Sequence, residues 1–138
     1  MKVLLDTCVL SDIRRSKGSP AVRKAVEALD SDDLFVSVLS IGEIAKGIAL
    51  VKDAAARRTL TTWLRKQEQF HADRVLSVDV ETARIWGNLT ASAQKAGRPL
   101  PAVDGLIAAT AHRHLLHVMT RNTADFAITE VPLINPWE

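Results

Sequence analysis

A chain of 138 residues, 47% of them hydrophobic and 25% charged, suits one domain with a real core and excludes a disordered or fibrous segment. Its net charge of +2, from 18 basic and 16 acidic side chains, is too small to argue nucleic-acid binding from charge alone, and one cysteine, Cys8, excludes an internal disulfide. No apolar run approaches the ~20 residues that span a bilayer, and Asp6 cuts the first run with no small-residue cleavage site after it, so the expectation is a cytoplasmic protein in a reducing compartment with no membrane partner.

The apolar pattern switches between short strand-like runs and longer helical ones. Lys2 to Leu5 reads as a buried strand and Thr7 to Arg14 as a short helix; Gly18-Ser19-Pro20 then breaks the chain before a second helix through Leu29. Leu34 to Val38 is short and β-branched, hence a strand. Ser40 to Leu50 is a helix whose Ile41, Ile44, Ala45 and Ile48 recur at i, i+3, i+4, i+7. Asp53 to Phe70 continues as a long amphipathic helix with Leu60, Trp63 and Leu64 on one side. Val75 to Val78 reads as a strand, and Val80 to Ala96 as a helix ended by Gly97. After the Arg98-Pro99-Leu100-Pro101 loop come an apolar helix from Ala102 to Arg113, a strand from Val118 to Thr120, a turn from Asn122 to Asp125 and a last strand at Leu133-Ile134. Strands alternating with helices predict an α/β fold over residues 1–138, a parallel sheet sandwiched between helices.

In such a sheet ligands bind beyond the carboxyl ends of the strands, and four acids are expected there. Asp6 follows Val3-Leu4-Leu5. Glu43 lies in the first turn of the helix after the second strand, Asp104 opens the helix after the proline loop, and Asp125 follows the strand that ends at Thr120. Each has a plain structural reading as well. Asp6 fits a helix N-cap, and Ser40-Ile41-Gly42-Glu43 fits a capping box. Asp104 fits a dipole-facing acid and Asp125 a turn residue. Jointly they are harder to explain, because each close pair repels by roughly 3 kcal/mol at ~5 Å and an effective dielectric near 20. Such a site needs a cation, and oxygen ligands select Mg²⁺ or Mn²⁺ over zinc. Thr7, Ser40, Thr120 and Asn122 are placed to orient carboxylates or waters around it. Gly47, one turn after Glu43, either leaves space above that carboxylate or, on the favoured reading, is a point of close helix packing.

Four segments in order carry a family resemblance: Leu4-Leu5-Asp6-Thr7, Ser40-Ile41-Gly42-Glu43-Ile44, Asp104-Gly105-Leu106-Ile107-Ala108-Ala109 and Thr120-Arg121-Asn122-Thr123-Ala124-Asp125-Phe126. Together they resemble the PIN-domain ribonucleases, and the closing Ile134-Asn135-Pro136-Trp137 resembles the FitB-like branch of the VapC toxins. The resemblance implies a PIN-like α/β/α fold and Mg²⁺- or Mn²⁺-dependent cleavage of RNA. It also implies a homodimer, bound by a cognate antitoxin through which operator DNA is reached indirectly. Asp6, Glu43, Asp104 and Asp125 occupy the family's acidic positions as both catalytic and metal-binding residues. The chain departs at Cys8, where many relatives carry asparagine or serine; a thiol is the poorer hydrogen-bond partner.

The expected chemistry is in-line hydrolysis of a phosphodiester, with Asp6 and Asp104 closest to the metal and Glu43 and Asp125 completing the site. Arg14, Arg15, Lys17 and Arg121 could meet RNA phosphates. A haloacid-dehalogenase-type phosphatase would want an aspartate at the place of Cys8. His112, His114 and His117 do not make a zinc site, since i, i+2 neighbours on a helix do not face one another. Two other readings stay open: a non-catalytic binding module on the same fold, and an RNA-processing nuclease without an antitoxin. Apolar surface on the helix pair from Ser40 to Phe70, including Trp63 and Phe70, favours a homodimer. An antitoxin segment is expected in a groove near the active site, with an arginine able to enter the acidic pocket.

Overall fold

Alternation of side chains along three-residue strands divides the molecule into two cores. In the computed structural model, which describes residues 1–138, the central strand β1 (Val3–Leu5) is almost wholly buried. Val3 and Leu5 face one side and Leu4 the other, as the two-residue strand period requires. The sheet is parallel throughout, in the order β3 (Val75–Leu76), β2 (Leu34–Ser37), β1, β4 (His117–Met119), β5 (Leu133–Ile134).

On the Val3/Leu5 side lie helices α1 (Thr7–Arg14), α2 (Pro20–Glu27), α3 (Val38–Ala49) and α4 (Ala54–Phe70), contributing Val9, Leu10, Val22, Ile44, Ile48 and Leu64. On the Leu4 side, α6 (Ala102–His114) supplies Ile107, Ala108 and Ala111, with Phe126 from the short α7 (Thr123–Phe126). Helix α5 (Val80–Lys95) lies along α6 and adds Leu89. Both faces of the sheet are therefore covered, which is why the strands read as unbroken apolar runs. Each fully buried Leu or Val contributes roughly 1.5–3 kcal/mol. The chain leaves β1 for β2 and β3 on one side and places β4 and β5 on the other. The strand order thus reverses at the carboxyl end of β1, where open α/β sheets open a crevice.

Several boundaries differ from the sequence reading. Helix α3 begins at Val38, capped by Ser37 Oγ accepting from the Leu39 N–H at 3.0 Å. Ser40 is therefore inside the first turn and no capping box exists; Glu43 lies in the second turn, not the first. The strand expected to run to Val78 ends at Leu76, because Asp79 takes over as N-cap of α5 through the Thr82 N–H. The turn expected at Asn122 to Asp125 is instead entered by the one-turn helix α7. Trp63 packs partly buried against the chain's own core, while Phe70 is 56% exposed, so only the latter adds to free apolar surface. His112 Nε2 pairs with the Thr129 carbonyl at 2.7 Å, tying α6 to the segment after α7. No three metal-ligating side chains gather around the histidines.

Two helix ends adopt left-handed backbone with opposite chemistry. Gly97, after α5, has φ +69°, which costs a glycine nothing. Leu115, after α6, has φ 57° and is 89% exposed, so its Cβ is strained with little burial in return. Gly97→Ala is expected to destabilise the fold by about 1 kcal/mol. Leu115→Gly should stabilise it by about 0.5–1 kcal/mol, the entropy of the added glycine offsetting part of the relief. Urea denaturation of both variants checks the opposed signs.

Candidate metal and active site

Asp6 stands where β1 stops. Its N–H continues the ladder to the Met119 carbonyl at 3.0 Å, so the carboxylate is aimed by the sheet itself. The side chain also caps α1, Oδ1 accepting the Thr7 N–H at 2.9 Å. The capping reading is therefore correct but incomplete. Oδ2 accepts the Thr120 hydroxyl at 2.8 Å and lies 3.7 Å from Cys8 Sγ. Only 4% of Asp6 is exposed. Burial raises its pKa; the bonds from Thr120 and Thr7 pull it down, and the Glu43 charge adds to the rise. An acid present only to cap a helix would be solvated and easily ionised.

The other three acids converge on this point from separate elements. Glu43, exposed on α3, is held by Thr7 Oγ1, which donates to Oε1 at 2.7 Å and stands 3.0 Å from the buried Ser40 Oγ. Asp104, in the first turn of α6, has no side-chain hydrogen bond within that turn, since the N-terminus of α6 carries no side-chain cap. Its carboxyl is pushed up to about 6, first by burial and then by the charges of Asp6, Asp125 and Glu43. The charges of the other three acids all act on that side chain, so the four share one region of the surface without closing on one another. Asp125, exposed on α7, approaches from the far side of β4. None of the four pairs with a basic side chain.

Three of the four expected supporting groups sit in the network: Thr7, Ser40 and Thr120. Asn122 contributes through its backbone, the N–H donating to Thr120 Oγ1 at 3.0 Å. Cys8 is half-buried and lies between Asp6 Oδ2 and Thr120 Oγ1, 3.8 Å from the latter. It thus sits at the margin of the apolar core, as a weak polar neighbour of the acid. Burial lifts its thiol pKa, which disfavours the thiolate a nucleophile would need.

The four carboxylates do not close into a finished cage: no three metal-ligating groups meet as they stand. All are oxygen donors without a basic partner, two of them (Asp6 and Asp104) desolvated and two (Glu43 and Asp125) exposed, and that fits an ion which keeps several of its waters and takes one or two carboxylates directly. Beside Glu43 a cavity of about 270 Å³ runs between α1, α3 and α4, lined by Thr7, Ser11, Arg14, Gly47 and Trp63. Nothing lies within 4 Å of where a Cβ on Gly47 would point, so this glycine does not mark close helix packing but leaves the space beside Glu43 open. A larger groove of about 620 Å³ between α3 and α4 holds none of the four acids. Sequence reasoning missed Ser11; only its place one turn after Thr7 on α1 signals it.

Residues 3–131 match the family described as PIN domain. The chain is 32% identical to Toxin FitB of Neisseria gonorrhoeae over 136 residues, 98% of each protein. It is 33% identical to VapC ribonuclease Y4jK of Sinorhizobium fredii, over 99% of this chain and 98% of that one. Its structure superposes on that of FitAcB from Neisseria gonorrhoeae with a TM-score of 0.94, covering 99% of both chains at 32% identity.

The raised Asp104 pKa has a thermodynamic consequence. This carboxyl titrates near 6 in the fold against 3.8 ordinarily, so its ionisation costs stability. The penalty is absent below the unfolded value, grows as pH rises and is complete above the folded value. Metal-free wild type is therefore expected to melt below Asp104→Asn at pH 7.5, by about 1–3 kcal/mol, and the gap should close toward pH 4. Thermal melts in EDTA across that range test it. A variant that melts lower at pH 7.5 would return Asp104 to a helix-dipole role.

Proposed function

The chain belongs to the PIN-domain family, and from that premise we propose that it is a Mg²⁺- or Mn²⁺-dependent endoribonuclease, the toxin of a type II toxin–antitoxin pair. One observation carries the reading. Asp104 is pushed up to about 6 by burial and by three neighbouring carboxylates, and no basic side chain pairs with any of the four. A fold that tolerates such repulsion has a use for it, and binding a cation is the simplest.

A divalent ion here would supply Lewis-acid stabilisation of a phosphodiester under attack and a water of lowered pKa. The protein's part is orientation. Asp6 and Asp104 would hold the ion directly or through water, with Glu43 and Asp125 completing the site. Thr120 and the Thr7 N–H lock the rotamer of Asp6, and the Thr7 hydroxyl locks Glu43. These bonds fix the carboxylate oxygens before substrate arrives, so little reorganisation is left for the transition state.

Kinship with a named toxin and a named VapC ribonuclease supports the toxin assignment. The cavity over Gly47, opening beside Glu43, suits an antitoxin segment whose arginine reaches the acids. We assign the chain to a homodimer in that complex, with operator DNA contacted through the antitoxin, and place its action in the cytoplasm.

Purified protein is expected to cleave single-stranded RNA with Mg²⁺ or Mn²⁺ and to stop in EDTA. Asp6→Asn and Asp104→Asn should each lose at least ~10²-fold in rate with unchanged circular dichroism, the scale of removing one preorganised electrostatic group. Full cleavage in EDTA, or by both variants, would end the metal mechanism. Coexpression with a short open reading frame found beside the gene, followed by solution scattering, should yield a stable complex built on a dimer of this chain. A lone monomer would count against the partner assignment.

A further inference from the structure

Two arginines flank the acidic pocket, each held over a tryptophan. Arg14, the last residue of α1, has Cζ 5.9 Å from the Trp63 ring, and both line the cavity that contains Thr7 and Glu43. Arg121 directly follows Thr120, whose hydroxyl holds Asp6, and its Cζ is 5.2 Å from the Trp137 ring. Trp137 is itself fixed: its backbone N–H donates to Asn135 Oδ1 at 3.0 Å, and its ring packs against the core. One pair thus stands on the β2–α3 side of Asp6 and the other on the β4–β5 side.

We infer that Arg14–Trp63 and Arg121–Trp137 are the two arms that grip single-stranded RNA on either side of the acidic pocket. This rests on the ribonuclease reading and extends it to how the substrate is held. A polyanion approaching four carboxylates is repelled unless cationic groups stand at the rim. Both arginines are exposed, and neither enters an ion pair or a side-chain hydrogen bond within the chain. Their planar donors are free for phosphate oxygens. Cation–π contact with an indole, at 5.9 and 5.2 Å from Cζ to the ring centroid, restrains each guanidinium without using its N–H donors. Indole and guanidinium planes also accept unpaired bases, which a duplex keeps stacked inside itself. The basic face of α4 is a weaker choice: Arg57 is spent on the Val51 and Lys52 carbonyls, and the groove there holds none of the acids.

The test is fluorescence anisotropy of a labelled single-stranded RNA with the full chain in EDTA, over a range of salt, repeated with Mg²⁺ on the cleavage-deficient Asp104→Asn background. Arg14→Gln and Arg121→Gln are each expected to weaken binding roughly 3–10-fold, and each should flatten the slope of log K against log salt by about 0.7. Arg121→Lys should keep the salt slope yet lose affinity, since charge remains and the stacked plane does not. Duplex RNA should lose less than single strands. Unchanged affinity and slope in both glutamine variants, with wild type binding RNA, would overturn the inference. So would loss of the copurifying antitoxin with RNA binding intact, which would give these arginines to the protein partner. Wild type that neither binds nor cleaves RNA would instead sink the ribonuclease reading beneath it.

Discussion

The site depends on one desolvated carboxylate. Asp6 is buried at the end of the central strand, where an ionised group is costly unless it is hydrogen-bonded. Thr120 and the Thr7 amide supply those bonds, one from the neighbouring strand and one from the helix that Asp6 itself caps. Because the bonds come from two elements, the docking of α1 and the pairing of β1 with β4 are tied to the geometry of a single side chain. Losing the Thr120 hydroxyl would leave a buried oxygen short of a donor and would free the acid to turn.

A parallel sheet with its order reversing at β1 explains why the remaining acids arrive where they do. Helices α1 and α3 begin directly at the strand ends, and α7 begins after a short turn, so their N-terminal halves lie along the same edge. Glu43, Asp104 and Asp125 come from segments far apart in sequence, yet each needs only a short reach. The resulting repulsion falls mainly on Asp104, the acid that is partly buried without a hydrogen-bonded clamp. Burial first and then that repulsion raise its pKa, and relief by the proposed cation would make metal binding and stability the same free energy.

Around this acidic centre the fold sets features of opposite character. The open volume over Gly47 is half apolar, with Ile44, Ile48, Val51, Leu60 and Trp63 among its walls. The two arginine–tryptophan pairs stand at the rims. Attraction of anions at the edge and of cations at the centre gives a polyanionic strand a defined path, as uniform positive charge would not. On the proposed ribonuclease reading, it would let a chain of net charge +2 hold RNA without a basic overall composition.

The sequence alone determined the alternation of strands and helices and the covered parallel sheet, and it singled out the four acids proposed for the site. Those features are written locally: unbroken apolar runs in the strands, helical stripes of period 3.6, glycine or proline at the breaks before α2, α6 and β5, and an acid directly after the first strand. What it could not determine was set by competition between distant groups. Ser40 looked like a cap because Ser-x-x-Glu is a local pattern, yet Ser37 took the cap and left Ser40 buried beside Thr7. Gly47 looked like a packing contact, but the helices diverge there and the space stays open. The place of Cys8 beside a carboxylate, the lift of Asp104 and the meeting of Arg121 with Trp137 all join residues with no local periodicity between them. Only the closed tertiary structure decided these, because desolvation and like-charge repulsion depend on which surfaces meet, and a linear pattern carries no record of that.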